Sequence, residues 1–247
     1  VHAVASGIRA AHLCKKGFTG ATSILEGKRA FFAGMGAEAT DLNIITEGLG
    51  DSFRLASTSI KQYACGRQTH SAVDAMVKLL SEHRIDVCEI VSIIDRTTSA
   101  ADKAVGHTEL TNEYKHKFSI PYCIAAYMVY GNLLDSVFHG DRITNPCVQA
   151  LIPLVHVIPD DQLDAECKAD PEKMIHELEI VLKNGKVYCT RNDYIKGDRK
   201  NPLGWDELTN KFDLLANASL GTARIRELVQ HCKTIDSMKD INSLFIF

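Results

Sequence analysis

Between Ser119 and Gly131 the sequence runs S-I-P-Y-C-I-A-A-Y-M-V-Y-G, and no other stretch restricts the fold so strongly. Ser119 is placed to cap a helix, Pro121 falls in the first turn where its missing N–H is tolerated, and Gly131-Asn132 ends the run. Between those signals the helix carries apolar side chains almost all round, the pattern of a helix buried between layers. It falls short of the ~18 apolar residues that a membrane span needs. The rest of the chain must therefore supply cover on every side of it.

The flanking segments supply that cover. V-C-E-I-V-S-I-I-D alternates as a strand, Leu154 to Ile158 reads as another, and Asp51 to Ile60 has β-prone residues with weak alternation. In H-E-L-E-I-V-L-K-N-G-K-V-Y-C-T, Leu178, Ile180 and Leu182 share one face and Asn184-Gly185 predicts a type I′ hairpin turn. Val73, Met76, Val77 and Leu80 recur at helical spacing, so a helix is predicted from Ser71, opened by Thr69 or His70. Asn145-Pro146 starts a helix of two turns, whereas 96–117 lacks apolar periodicity and reads as a loop. Outside this region the period is helical. Val1, Val4, Ile8 and Ala11 form one stripe before a C-capping Gly17; Leu208, Phe212 and Leu215 form a second; Ile225, Leu228, Val229 and Cys232 form a third. Leu244 to Phe247 are placed to dock the C-terminus. The order is helix, α+β middle, helix, and a middle inserted into a helical body is the simplest topology.

With 28 basic and 31 acidic residues in 247, the net charge of −3 gives no global field to hold nucleic acid or an anionic membrane surface, so any anion site must be local. The eight cysteines stand far apart with no C-x-x-C and no zinc spacing, which reads as buried or free thiols of a reducing compartment, the cytoplasm or, in a eukaryote, the mitochondrion.

The densest polar constellation is Lys61, Tyr63, Arg67, Thr69 and His70, lying where a helix begins. Free backbone N–H groups and the helix dipole add to such cations in binding a carboxylate. An exposed basic turn is the plainer reading, and spacing leaves both open. Tyr122, in the first turn of the buried helix, needs a partner for its phenol, either a substrate or a backbone group. His2 and His12 lie on different helix faces and cannot share a metal. The sequence has no G-x-S-x-G, P-loop, G-x-G-x-x-G after a strand, or H-E-x-x-H.

The run S-T-S-I-K-Q-Y-A-C-G-R-Q-T-H-S-A-V-D-A resembles the signature of the MmgE/PrpD family, which contains 2-methylcitrate dehydratases and cis-aconitate decarboxylases. Further stretches match in order: V-H-A-V-A-S-G-I-R-A-A with K-K-G-F-T-G and L-E-G, K-F-S-I-P-Y-C-I-A, D-R-I-T-N-P-C-V-Q-A-L, and G-D-R-K-N-P-L-G-W-D-E-L-T-N-K-F. Ala21 and Ala64 stand where the family pattern has Pro.

The resemblance implies a fold that is α and α+β: a large all-helical domain, only partly present, with an inserted smaller α+β domain. The corresponding division is 1–50 helical, 51–196 inserted, and 197–247 returning to the helical domain. It also implies that the chain is a C-terminal fragment whose upstream cleft residues lie elsewhere. By resemblance Lys61, Tyr122 and His2 are the catalytic candidates, and Arg67, His70 and Tyr63 the substrate-binding ones. The implied activity is that of a lyase, a carbon–oxygen lyase of the 2-methylcitrate dehydratase type, acting on a citrate-like di- or tricarboxylate by proton transfer next to a carboxylate. The alternatives are a cis-aconitate decarboxylase, an epimerase, or an inactive fragment serving as an interaction module. No metal or organic cofactor is implied; the expected partners are the small acid and a second copy in a homodimer, with no nucleic acid and no membrane.

Overall fold

The computed structural model describes residues 2–36 and 41–242, so the expectations for Val1 and for Leu244 to Phe247 lie outside the described residues. Two units emerge, 1–56 and 57–247. In the first, α1 (His2–Lys15) ends at Gly17, whose φ of 89° is one that glycine adopts freely. Gly17 N donates to Cys14 O at 2.9 Å and Phe18 N to Leu13 O at 3.0 Å, the paired bonds of a Schellman cap. Two single-turn helices follow, α2 (Phe31–Gly34) and α3 (Asn43–Thr46). Among the described residues of this unit only Ala30 is buried, and the apolar stripe of α1 at Val4 and Ile8 is open to solvent.

The end of the first unit and the start of the second depart from expectation. Residues 51–60 form no strand: a 3₁₀ turn at Arg54–Ser57 leads into an exposed segment. Ile60 N donates to Gly197 O at 2.9 Å instead of joining a ladder. Helix α4 (Arg67–Glu82) begins a turn earlier than its periodicity suggests. Its N-cap, Gly66, donates to Lys117 O at 2.6 Å, and a side chain there would press into the Phe118 ring.

Four strands, β1 (Ile90–Thr97), β2 (Val155–Pro159), β3 (His176–Leu182) and β4 (Val187–Asn192), form one mixed sheet in the order β2-β1-β3-β4. β1 runs parallel to β2 and antiparallel to β3, and β3 pairs antiparallel with β4. A parallel pair needs a long crossover, and the chain between β1 and β2 provides it. That crossover contains α5 (Ser99–Val105) and α6 (Glu113–His116) where a loop was expected. Caps rather than periodicity sustain these short helices: Thr98 Oγ1 accepts from Ala101 N at 3.2 Å, and Asn112 Oδ1 from Lys115 N at 3.0 Å.

The predicted buried helix is α7 (Ile120–Tyr130), with Ser119 Oγ accepting from Tyr122 N at 3.3 Å and Gly131 left-handed at φ 67°. Ile120 and Ile124 join Met76 and Leu79 of α4 over Ile93, Leu178 and Ile180 of the sheet, while Tyr122, Ala125 and Ala126 pack with Val137, Phe138 and Val148. Asn145 caps α8 (Pro146–Leu151), and Asp160 caps α9 (Asp161–Ala169).

The β3–β4 hairpin exists with the predicted alternation, yet its turn differs. Gly185 N donates to Leu182 O at 2.9 Å and Leu182 N to Lys186 O at 2.9 Å, and only Gly185 has positive φ. This is a three-residue loop closed by a left-handed glycine, so Asn184 is not forced into the left-handed conformation that a type I′ turn demands. The last two apolar stripes fall on the two halves of α10 (Trp205–Lys233), which breaks at Gly221 (φ 71°, ψ 156°). Among the described residues, no helix is long and apolar enough to cross a membrane.

Candidate active site

Arg67 projects from the first turn of α4, where it pairs with Asp198 and approaches Met174 Sδ at 3.3 Å. Its partner sits 131 residues away in sequence, in a turn held by Gly197 N to Asn201 O at 2.8 Å and Asn201 N to Asp198 O at 3.0 Å. Gly197 has φ 98°, and a Cβ on it would collide with the Ile60 carbonyl. Glycine is therefore required twice over, for conformation and for contact. Together these features bring S-T-S-I-K…G-R-Q-T-H against G-D-R-K-N-P.

A cleft of about 200 Å³ lies here, lined by Ser57, Ser59, Arg67, Pro171, Glu172 and Tyr194 together with Asp198, Arg199 and Lys200. Arg199 is paired with Glu172 at 3.0 Å, and Lys200 lies 3.2 Å from Asp170 and 3.3 Å from Glu172. These are solvent-facing pairs that an incoming carboxylate can exchange at little cost. Asp198 uses one oxygen on Arg67, and the other, Oδ1, is buried without a partner. The cleft thus combines three cations with the carboxylates of Asp198 and Glu172.

Lys61 is exposed; its ammonium donates to Cys65 O at 2.9 Å, and its own carbonyl accepts from Lys211. Tyr63 donates to Asp74 Oδ1 at 2.8 Å, while Asp74 Oδ2 accepts from Lys196 N at 2.8 Å. Burial and the neighbouring Asp74 push the Tyr63 hydroxyl far above its ordinary value, and burial raises Asp74 as well. The Tyr63 ring meets His70 edge-on at 5.1 Å, and His70, fully buried, leaves both ring nitrogens without a hydrogen bond. Lys61, Tyr63, Arg67 and His70 therefore share one turn-to-helix segment, with only Arg67 of the four lining the cleft.

Tyr122 takes the other of its two sequence-stated options. It is fully buried, donates to Val137 O, and packs edge-on with His116 at 4.7 Å, so in this arrangement it is a core tyrosine and not a cleft one. Burial holds its phenol above the ordinary range. His2 is exposed on α1 in the first unit.

Sequence reasoning did not single out Asp198, Arg199 and Lys200, although G-D-R-K-N-P already joined a turn signal to paired charges. A second constellation on the sheet looks like a hydrolase triad without its function. His176 Nδ1 lies 2.9 Å from both Asp95 oxygens, and Nε2 lies 3.2 Å from Thr97 Oγ1. The Thr97 hydroxyl donates to Ile175 O at 2.9 Å and is fully buried beside His176, so it is no accessible nucleophile. Among the described residues no three His, Cys, Asp or Glu side chains stand together as metal ligands.

Residues 63–234 match the MmgE/PrpD C-terminal domain. Human cis-aconitate decarboxylase is 23% identical over 252 residues, covering 98% of this chain and 50% of that protein. The mouse cis-aconitate decarboxylase is 24% identical over 135 residues, covering 54% of this chain and 26% of its own length. The chain thus spans about half the length of the human relative. The turn that presents Lys61 and Arg67, the buried helix and the G-D-R-K-N-P turn all take part in one mixed α+β fold, and the chain belongs to the MmgE/PrpD family.

Proposed function

We propose that this chain contributes to a lyase acting on a citrate-like di- or tricarboxylate, with decarboxylation of cis-aconitate and dehydration of 2-methylcitrate as the two reactions to be told apart. The observation that carries the reading is the convergence of the family signature with the Gly197–Asn201 turn around a cleft where Arg67, Arg199 and Lys200 outnumber the carboxylates of Glu172 and Asp198. Both reactions build negative charge on a carbon next to a carboxylate, and fixed cations lower that barrier. Arg67 orients a carboxylate, Lys61 would meet the enolate-like charge only by leaving the Cys65 carbonyl, and Tyr63 with His70 supports that turn. Tyr122 would serve as an acid only by giving up Val137 O. His2 is the remaining proton-transfer candidate. The names of the curated relatives favour decarboxylation. The free state of all eight cysteines favours the cytoplasm or another reducing compartment. A homodimer is the assembly to look for by light scattering.

Incubation with cis-aconitate and 2-methylcitrate, scored for CO₂ release and for alkene formation, tests the reading directly. Calorimetric titration with each acid accompanies it. Absence of binding by both acids would sink it and favour an interaction module without catalysis, a reading supported by the internal pairing of Lys61 and Arg67.

A further inference from the structure

Arg67, Ser71 and Asp74 follow one another on α4 at spacings of four and three residues, so they share one stripe of the helix, and all three reach the same stretch of chain, 192–198. Arg67 pairs with Asp198, Ser71 Oγ accepts from Asn192 Nδ2 at 2.8 Å, and Asp74 Oδ2 accepts from Lys196 N at 2.8 Å. The second Asp74 oxygen, Oδ1, accepts from the Tyr63 hydroxyl at 2.8 Å. Lys196 is the centre of a segment that lines the cleft on both sides of it, with Tyr194 before and Asp198 to Lys200 after. Tyr63 belongs to the turn that delivers Arg67 to that cleft.

We propose that Asp74 is the positioning residue of this cleft: its one carboxylate fixes the signature turn and the 192–201 segment to the same point of α4, and so sets where Arg67 stands relative to Arg199 and Lys200. The role rests on the lyase reading only for the identity of the acid that the cleft receives. Asp74 itself does not line the cleft and acts through the residues that it holds.

A carboxylate is needed there because both of its partners are donors. The Lys196 amide can only donate, and burial, with Asp74 beside it, keeps the Tyr63 hydroxyl protonated. Asparagine has nearly the same shape but a single acceptor oxygen, so Asp74→Asn leaves one donor unmet without opening a cavity. The bond from Ile60 N to Gly197 O at 2.9 Å joins the same two segments one residue away, and by itself it leaves the Tyr63 side of the turn untied.

Hydrogen–deuterium exchange read by mass spectrometry, together with calorimetric titration by cis-aconitate, tests the role in the full chain. In Asp74→Asn, exchange should quicken about tenfold in peptides covering 60–66 and 192–201 and stay unchanged in β1 and β3, and Kd should rise about tenfold, the effect of one buried donor left unmet. Ile93→Val, a mild change at a fully buried position of the sheet beneath α4, is the control for stability alone: it should quicken exchange in the strands around it and leave Kd unchanged. Because Tyr63 acts through Asp74, adding Tyr63→Phe to Asp74→Asn should cost little more than Asp74→Asn by itself. The role is overturned if Asp74→Asn leaves 192–201 as protected as before, if Ile93→Val loosens that segment and weakens binding equally, or if the losses from Tyr63→Phe and Asp74→Asn simply add. An unaltered chain that binds no acid refutes the lyase reading instead, and the exchange experiment then decides the role of Asp74 without it.

Discussion

Replacing Gly197 by alanine should injure the molecule far more than the same change at Gly185, although both residues have positive φ, 98° and 80°. Either substitution places an L-residue in left-handed backbone, costing roughly 1–2 kcal/mol. At Gly185 the new methyl group meets nothing within 4 Å, so the cost ends there. At Gly197 it runs into the Ile60 carbonyl, and the chain must move away, breaking Ile60 N to Gly197 O, about 1 kcal/mol more. The total is about 2–3 kcal/mol before any strain on the Arg67–Asp198 pair. Urea titrations followed by Trp205 fluorescence and by circular dichroism give the two stabilities. Gly197→Ala should also weaken binding of a tricarboxylate, and Gly185→Ala should leave it unchanged. Equal losses of stability, together with unchanged binding in both variants, would refute the claim that close packing at Gly197 builds the cleft.

Arg67→Ala should lower affinity for cis-aconitate about tenfold by calorimetry, the worth of one charge-assisted hydrogen bond, and an unchanged Kd would remove Arg67 from the binding surface. Tyr122→Phe should cost about 1–2 kcal/mol in a urea titration because Val137 O loses its buried donor; a large fall in kcat with no loss of stability would instead give the phenol a catalytic role. Hydrogen bonding to Glu113, with help from Asp135, raises His139 above its usual 6.5. A raised folded value means that this contact stabilises below the unfolded pKa and is lost as pH rises through the folded one. NMR titration of the His139 ring should show a midpoint above that of an ordinary histidine, and Glu113→Gln should bring it down; no movement would show that the pairing is absent in solution.

The elements that sequence made legible are those whose evidence is local. Ser119, Pro121 and Gly131 bracket α7 by chemistry acting within a few residues, and the Gly17 and Asn145 caps do the same. Short helices α5 and α6 escaped because their signals are single capping side chains rather than a period. Residues 51–60 have strand-like composition but no neighbouring strand, and composition cannot reveal a missing partner. The candidate site divides in the same way. Lys61, Tyr63, Arg67 and His70 are close in sequence and recognisable as a group, whereas the link to Asp198 is tertiary and crosses 131 residues. The destination of the Tyr122 phenol was equally out of reach, since Val137 O is brought to it by the turn after α7.

The strand order β2-β1-β3-β4 has a consequence for synthesis. β1 sits inside the finished sheet, yet it leaves the ribosome before every strand that pairs with it. The parallel partner β2 arrives after the whole crossover of α5 to α8, and the antiparallel partner β3 later still. Throughout that interval both edges of Ile90–Thr97 are unpaired, and its apolar residues, Ile90, Ile93 and Ile94, are open to other nascent chains. Of the helices that cover this sheet face, only α4 has already emerged, so it is the natural chaperone in cis. Slowing elongation within 98–154 would lengthen the exposure, and aggregation of the nascent chain would rise with it.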